Sequence, residues 1–477
     1  MLKKIFAHSF YYSIAPVCIQ ALSLLLLPFI TPHLTAFDFG VYGIISSYLF
    51  FITAIKDLGF NVVFVNTFYR YPRRWPLLWR VFYGHLLYWS VIYFFLQVII
   101  LYLAIPKTEI RNFPLILSLT VLPAIIFDTV NMIGNYYFRF SERPMVIAMI
   151  TLAGGVVSLS LTYYCIVVLE MGYMGWFIAN FSSSLVMFLC FFYPVFFKLK
   201  LKPVLRIRRK FIARYLKVAL PMIPHNYSSY LLNSSDRVVM NLMRINISQI
   251  GLYNAAYRFG NYFELAGEAM GMAVGPQYTK LYTENTISSL QVARKLTYVL
   301  MSFFLLGSFI VAIWLREVFL FLFRNPELQT AYGIGIIIFM SYAFRPMYWS
   351  SLIKLSTGEQ TSALWKVTFT GGLLNIILNL IFLKQYGIFA AAVSTFVSLL
   401  FVGFAGFYLP AYKRLKGLNH YPHVWIALII LLTSVAYFVR DIFWEYKIIL
   451  TVVAAVTSFA IFRIFLKRGL EYRAQSA

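Results

Sequence analysis

Arginine and lysine side chains stand in the middle of long apolar stretches of this chain. Arg237, Arg258 and Arg345 each lie well inside such a stretch, and Lys56 is a fourth cation in the same setting. A guanidinium group offers a planar fork of donors that matches the geometry of phosphate and carboxylate. The pattern therefore predicts an internal surface that binds an anionic, hydrophilic ligand, and a phosphate or pyrophosphate fits this chemistry best.

Neutral polar residues accompany these cations at helical spacing. In the seventh apolar stretch, intervals of 4, 3, 4 and 7 residues separate Asn226, Tyr230, Asn233, Arg237 and Arg244. Such intervals place side chains on one face of an α-helix. Because amide and hydroxyl groups can hydrogen-bond to sugar hydroxyls, we expect Tyr230 and Asn233 to extend the surface that Arg237 begins.

The eighth apolar stretch carries a second polar face, which is about 120° wide at 100° per residue. Its members are Asn254, Tyr257, Arg258, Asn261, Glu264 and Glu268. We expect Arg258 and Asn261 to bind the same ligand as Tyr230, Asn233 and Arg237 in the seventh stretch. A charge at bilayer depth costs several kcal/mol unless it is paired or faces water, so this many polar groups predict a water-filled cavity.

Four carboxylates at bilayer depth are candidates for ion coupling. Asp57, Asp128, Glu264 and Glu268 could each carry a proton or bind sodium, as intramembrane carboxylates often do. Each could equally pair with a cation, for example Asp57 with Lys56 or Glu268 with Arg258, and so hold two helices together. The sequence leaves both roles open.

Chemistry of other kinds is not indicated. Cys18, Cys165 and Cys190 lie in apolar segments, where they suit the role of small core residues better than that of disulfide partners or metal ligands. Zinc-ligand spacings and phosphate-binding loops are absent from any plausible loop. We therefore expect no catalytic residue, no metal, no cofactor and no enzymatic activity.

The elements that must position these residues are membrane-spanning helices. The 477 residues are 61% hydrophobic and 12% charged, with a mean hydropathy of +0.77. Soluble domains contain about 25% charged residues. With roughly 20 residues for each crossing, about 14 helices fill the length, and the first stretch, 10–30, is span-length and has no cleavage site. We predict an all-α polytopic membrane protein without a cleaved signal peptide.

The net charge of +25 has a topological explanation. Lysine and arginine collect in cytoplasmic loops of membrane proteins, and alternate loops hold most of them here, including the runs 70–80 and 198–217. This distribution predicts that both termini are cytoplasmic. We prefer it to nucleic-acid binding as the reason for the charge.

The chain divides into two halves that resemble each other. Gly40 and Tyr42 recur as Gly251 and Tyr253, and the pair 154–155 recurs as 371–372 at nearly the same separation. Parallel repeats of this kind are related by an axis along the membrane normal, and a site is expected between them. We predict a six-helix bundle at 1–197, a basic cytoplasmic linker at 198–211, a second six-helix bundle at 212–415, and two further helices with a cytoplasmic tail at 416–477.

Short motifs in both halves resemble those of a known family. Pro28-x-x-Thr31-x-x-Leu34 with Asp38-x-Gly40-x-Tyr42 is similar to the opening of polysaccharide-repeat-unit flippases (O-antigen, capsule and exopolysaccharide). Asp236-Arg237 followed by Gly251-x-Tyr253-x-x-Ala256-x-Arg258 is similar to their seventh and eighth helices. These flippases belong to the multidrug/oligosaccharidyl-lipid/polysaccharide exporter superfamily. The resemblance extends over nearly the whole chain in span number and loop pattern.

The resemblance implies a MATE-like fold and transport in the bacterial inner membrane. The implied substrate is an undecaprenyl-diphosphate-linked oligosaccharide for surface polysaccharides such as the lipopolysaccharide O-antigen. The implied mechanism is alternating access through a cationic central cavity, with polysaccharide polymerases as candidate partners. The branch that flips the peptidoglycan precursor typically carries arginine near its first helices, whereas 5–30 contains no lysine or arginine.

Two other functions compete with this one. A multidrug or small-cation exporter of the same fold would be expected to line its cavity with carboxylates and without several arginines. A membrane polymerase or ligase would need a sizeable external loop, whereas the connections at 106–112 and 325–330 are short. Both alternatives remain open at this point.

Overall fold

A computed structural model describes residues 2–206, 209–360 and 362–475, and these residues form helices joined by short turns, with no strand among them. The first helices are α1 (Leu2–Ile30), α2 (Ala36–Thr53), α3 (Phe60–Arg70), α4 (Trp75–Ala104), α5 (Phe113–Leu122), α6 (Asp128–Phe140), α7 (Pro144–Tyr163), α8 (Met174–Tyr193) and α9 (Arg209–Ala219). The predicted all-α class is confirmed.

The chain continues with twelve further helices within the described residues. They are α10 (Met222–Asn233), α11 (Ser235–Leu242), α12 (Ile247–Glu284), α13 (Ile287–Ile313), α14 (Leu315–Leu322), α15 (Pro326–Gln329), α16 (Tyr332–Met340), α17 (Arg345–Thr357), α18 (Ser362–Tyr408), α19 (Pro410–Arg414), α20 (Pro422–Phe438) and α21 (Trp444–Gln475). Helix α18 contains a break at Gly387, whose φ of 56° and ψ of −145° are not helical.

Several predicted spans are interrupted next to their polar residues. By length and composition, eight helical segments of the described residues are long and apolar enough to cross a membrane. The predicted span 40–65 is divided into α2 and α3 by a turn at 54–59, the predicted span 212–240 into α9, α10 and α11, and the predicted span 331–354 into α16 and α17. Irregular backbone at membrane depth is tolerated where protein or a water-filled cavity satisfies it. These breaks therefore mark polar positions.

The Asp38 motif begins α2 and holds a neighbouring turn. Thr35 and Asp38 form a capping box, in which Asp38 N–H donates to Thr35 Oγ1 over 3.2 Å and Thr35 N–H donates to the Asp38 carboxylate over 2.8 Å. The same carboxylate accepts a hydrogen bond from Tyr173 N–H over 3.0 Å. Asp38 is therefore a structural residue, since its oxygens satisfy backbone donors at a helix start.

The described chain forms two compact units. Unit 1 comprises Met1–Tyr230, Asn246–Gly251 and Leu322–Asn325, and unit 2 comprises Leu231–Ile245, Leu252–Phe321 and Pro326–Ala477. The division at Tyr230 lies downstream of the predicted linker at 198–211. The physical reason is that α9 packs within unit 1, where Tyr215 meets the ring of Phe82 at 4.9 Å between centroids.

Unit 1 has an aromatic core between α3, α4 and α8. Phe64, Trp79, Phe82 and Phe191 are fully buried there. The rings of Phe64 and Trp79 meet edge to face at 5.0 Å, a geometry that aromatic quadrupoles favour. Trp79 Nε1 donates to Thr67 Oγ1 over 3.2 Å, so its polar atom is satisfied inside the core.

Candidate functional site

Unit 1 contains a cavity of about 440 Å³ with polar and apolar walls at the break between α2 and α3. Its polar lining includes Thr53, Lys56, Asp57, Ser90, Tyr93, Asp128, Asn226 and Ser229. Lys56 and Asp57 lie in this turn and are partly exposed. A cavity of this size falls in the range typical of small-molecule sites.

An ion pair between Lys56 and Asp128 lies on the cavity wall. The Lys56 ammonium donates to the Asp128 carboxylate, and the two side chains remain 25% and 30% exposed. Ser184 Oγ donates to the other Asp128 oxygen over 3.4 Å. Asp57, which adjoins Lys56 in sequence, accepts a hydrogen bond from Gly59 N–H over 3.2 Å. The pair is therefore reachable from water, and Asp57 shapes the turn.

A second cavity of about 380 Å³ continues the polar surface. It shares Thr53, Lys56, Tyr93 and Asp128 with the first cavity. The charged residues that line the two cavities are one lysine and two aspartates. Within unit 1 the surface is thus mixed in charge, whereas the sequence predicted a cationic cavity.

A buried network surrounds Asp236 in unit 2. Its carboxylate is fully buried and accepts hydrogen bonds from Tyr253 Oη at 2.6 Å, Asn379 Nδ2 at 2.8 Å and Thr395 Oγ1 at 3.0 Å. Asn375 joins the network through Thr395. Buried charges persist only when hydrogen bonds and partners compensate them, and these donors come from α12 and α18.

Arg237 lies beside this network and is 5% exposed. Its Nε donates to Asn254 Oδ1 over 3.0 Å, and its NH1 donates to the carbonyl oxygen of Asn233 over 2.8 Å. The guanidinium also lies over the ring of Tyr257 at 4.2 Å from the centroid. The structure therefore places Arg237 in internal packing between α11 and α12, where a substrate could reach it only if these contacts opened.

Arg345 forms an ion pair with Glu264 in unit 2. Arg345 NH2 donates to Glu264 Oε1 over 2.5 Å, and the side chains are 12% and 19% exposed. Tyr342 Oη donates to the other Glu264 oxygen over 3.5 Å and also approaches Tyr257 Oη at 3.4 Å. This row of hydroxyls connects the Arg345–Glu264 pair to the packing around Arg237.

The remaining predicted residues have different environments. Arg258 is partly exposed, Asn261 and Glu268 are exposed, and Asn233 is partly exposed. Tyr230 belongs to unit 1, is 3% exposed and packs on the ring of Phe51 at 5.3 Å. The structure thus brings together Lys56 with Asp128, and Arg345 with Glu264. It does not place all the predicted residues on one described surface.

Some functional candidates were missed at the sequence level. Asn375 and Asn379 are fully buried on α18 and stand four residues apart, and Ser90 and Tyr93 supply the α4 wall of the unit 1 cavity. The pair of asparagines in an apolar helix is a recognisable polar stripe. Ser90 and Tyr93 have no comparable signal, because serine and tyrosine are common in such helices.

Comparison with known proteins gives a family match and a fold match. The sequence profile of the family described as "Polysaccharide biosynthesis protein" matches residues 5–282, which is more than half of the chain. A search of curated proteins found no match. Among solved structures, the lipid II flippase MurJ in an inward closed conformation has a TM-score of 0.73 and 15% sequence identity, with 95% of this chain and 99% of that chain covered.

Multidrug transporters of the MATE type also match. MATE in complex with MaL6 has a TM-score of 0.56 at 14% identity, covering 91% of this chain and 97% of that one. The Vibrio cholerae MATE transporter VcmN, solved as a point mutant, has a TM-score of 0.51 at 14% identity, covering 86% and 96%. Likeness at this identity shows the fold, which confirms the predicted MATE-like architecture of a multi-pass membrane protein.

Proposed function

Because this chain belongs to the polysaccharide biosynthesis protein family, we propose that it is a flippase for lipid-linked oligosaccharide repeat units. The observation that carries the proposal is the Lys56–Asp128 ion pair, which stays partly exposed on the wall of a cavity between helices that the sequence predicts to span the membrane. An apolar core would not retain such a pair, whereas a hydrophilic head group in transit requires polar walls. The family match and the MurJ-like fold support the same conclusion.

The proposed substrate is an undecaprenyl-diphosphate-linked oligosaccharide that crosses the bacterial inner membrane by alternating access. Lys56, Arg258 and Arg345 are proposed to hold the pyrophosphate or acidic sugars. Asn233, Asn261 and Tyr230 are proposed to meet sugar hydroxyls. Arg237 is given a positioning role, since its donors are already used inside the protein. Surface-polysaccharide polymerases are the proposed partners.

A change of partner at the Lys56–Asp128 and Arg345–Glu264 ion pairs supplies a route to energy coupling. An anionic head group that binds Lys56 or Arg345 competes with Asp128 or Glu264 for the same donors. The released carboxylate then takes up a proton or sodium, because an unpaired charge at bilayer depth is costly. Asp57 and Glu268 are weaker candidates, since Asp57 accepts a backbone hydrogen bond in the turn and Glu268 is exposed.

The decisive experiment measures leaflet transfer of a labelled lipid-linked oligosaccharide in reconstituted vesicles. Wild type is expected to transfer it, and Lys56→Met and Arg345→Ala are expected to lose most of the rate. In cells, Arg258→Ala and Arg345→Ala should abolish surface polysaccharide at unchanged protein level in the membrane. Lys280→Met is the matched control, because Lys280 is 78% exposed and its ion pair within the described residues is with Glu284, one helical turn away. Normal transfer by Lys56→Met and Arg345→Ala would show that these residues do not bind the substrate head group.

A small-cation exporter is the second candidate. The observation in its favour is that Asp57 and Asp128 outnumber Lys56 on the unit 1 cavities, as expected for a cation site. The same vesicles discriminate between the two functions when they are loaded with a fluorescent organic cation. Cation efflux without transfer of the oligosaccharide lipid would establish the exporter in place of the flippase.

A further inference from the structure

A third polar cavity lies in unit 2, where the ends of α17 and α18 meet α19 and the turn before α20. Its volume is about 360 Å³. Its side chains include Lys354, Tyr412, Lys413, Asn419, His420 and His423. None of these residues belongs to the flippase assignment above. Among the described residues, the lining contains basic and neutral side chains and no carboxylate, which is the composition of an anion site.

Lys354 is the unusual member of this lining. The residue is only 4% exposed, yet within the described chain its ammonium lies against the face of the Tyr412 ring, 3.7 Å from Nζ to the centroid. The backbone of Gly417 closes on the ammonium so tightly that a Cβ there would collide with Nζ. A buried ammonium is costly without a counter-charge, and a ring face compensates only part of the cost.

Tyr412 brings a second unsatisfied group to the same place. It is 6% exposed, and its hydroxyl is buried without a hydrogen-bond partner among the described residues. Buried hydroxyls in native proteins are almost always paired. An ammonium and a hydroxyl, both donors and neither with an acceptor among the described residues, therefore line one cavity.

His420 is held as a neutral wall residue. Its Nδ1 donates to the Leu418 carbonyl oxygen over 2.9 Å, and Nε2 is then left to accept from Ser350 Oγ at 3.5 Å. Burial lowers the pKa of His420 to about 4, with Lys354 and Arg294 acting in the same direction. The positive charge of the cavity thus comes from its lysines, and Arg294 holds the turn through the Asn419 carbonyl oxygen.

We propose that this cavity binds a phosphate group, with Lys354 as its charge partner and the Tyr412 hydroxyl as a second donor. A phosphate offers several strong acceptor oxygens and a negative charge that compensates the Lys354 ammonium. The exposed Lys413 lies at the same cavity and adds attraction at its mouth. The group comes either from an anionic lipid head group or from free phosphate in solution.

Thermal unfolding of the purified protein in detergent tests the proposal. The first probe is inorganic phosphate, and its reference is a chloride salt at equal ionic strength without sulfate. The second probe is phosphatidylglycerol, and its reference is phosphatidylcholine. Stabilisation by inorganic phosphate alone assigns a free phosphate, and stabilisation by phosphatidylglycerol alone assigns a lipid head group. Stabilisation by neither probe overturns the proposal.

Variants locate the effect. Lys354→Met should weaken the apparent affinity for the active probe by about tenfold or more, as expected when a charge-assisted hydrogen bond is lost. Tyr412→Phe keeps the ring beneath Lys354 and should weaken the apparent affinity for the probe less than Lys354→Met does. Lys416→Met is the control, because Lys416 is exposed close by and does not line the cavity.

The two possible roles of Lys354 give opposite stability changes in probe-free detergent. If the Lys354 ammonium only stabilises the fold through its contact with the Tyr412 ring, Lys354→Met lowers the unfolding temperature and the variant is still stabilised by the probe. If the ammonium binds a ligand, Lys354→Met keeps or raises the unfolding temperature, because a buried uncompensated charge is removed. The variant is then no longer stabilised by the probe. The first result overturns the proposal.

Discussion

At the scale of residues, two of the four cations inside the apolar stretches pair with carboxylates far away in sequence. Lys56 pairs with Asp128 on α6, 72 residues on, and Arg345 pairs with Glu264 on α12, 81 residues before it. The adjacent Asp57 instead accepts a backbone hydrogen bond in the turn after α2. Each partner lies on a different helix, and helical spacing within one apolar stretch relates only residues of that stretch, which is why the sequence could not identify these partners.

The Lys56–Asp128 pair leads to a prediction on stability. Lys56→Met alone leaves the Asp128 charge unpaired and should lower the unfolding temperature. The double variant Lys56→Met, Asp128→Asn removes both charges and should recover most of the loss. Unfolding temperatures of wild type, both single variants and the double variant measure the coupling. Additive single effects would contradict the pairing.

His420 predicts a dependence of stability on pH. Its pKa is lowered to about 4 in the folded protein by burial, whereas an unfolded histidine titrates near 6.5. The unfolded chain therefore binds the extra proton between these values, so stability from this residue is present above about pH 6.5 and is lost as the pH falls toward 4.

The pH prediction is measured with His420→Gln. The fall in unfolding temperature between pH 7 and pH 5 should be smaller in this variant than in wild type. His423→Gln is the control, since His423 is exposed at the same turn. Equal pH dependence of wild type and His420→Gln would show that other groups govern acid sensitivity.

At the scale of elements, two glycines let helices approach at backbone distance within unit 1. A Cβ on Gly251 in α12 would collide with the carbonyl oxygen of Ala36, and a Cβ on Gly40 in α2 would collide with that of Ile247. These are the glycines that recur between the two halves of the sequence. Their repeated position thus serves close packing of the starts of α2 and α12.

Gly251→Ala is predicted to destabilise the protein by about 1–3 kcal/mol, the usual cost of overpacking a close contact. Gly275→Ala in the same helix has open space around the new methyl group and should be neutral or stabilising by up to about 1 kcal/mol through helix propensity. Denaturation midpoints of the two variants make the comparison. Equal midpoints would refute the close approach.

At the scale of the whole molecule, the predicted orientation can be tested directly. The positive-inside distribution places Lys416 in the cytoplasm and Lys107 outside, and both residues are exposed. In a background without Cys18, Cys165 and Cys190, a cysteine replacing Lys107 should react with an impermeant maleimide in intact cells. A cysteine replacing Lys416 should react only after the cells are permeabilised. The reverse pattern would invert the topology.

The sequence by itself determined the class of the molecule. Long apolar stretches require helices in a membrane, because lipid cannot satisfy backbone groups, and polar residues such as Asn233 and Arg237 at helical spacing identify the helices that carry polar faces. The motifs around Asp38 and Gly251 were sufficient to indicate the family, since they encode local caps and close contacts.

Only the tertiary structure decided which polar residues are spent on the fold and which remain open to water. It buried Arg237 against Tyr257 and Asn254, and it left Lys56 with Asp128 on a cavity wall. Helical periodicity predicts the face of a helix on which a side chain lies, but the exposure of that side chain depends on which other helix packs against the face. The packing helix comes from a distant part of the chain, so the local sequence does not identify it.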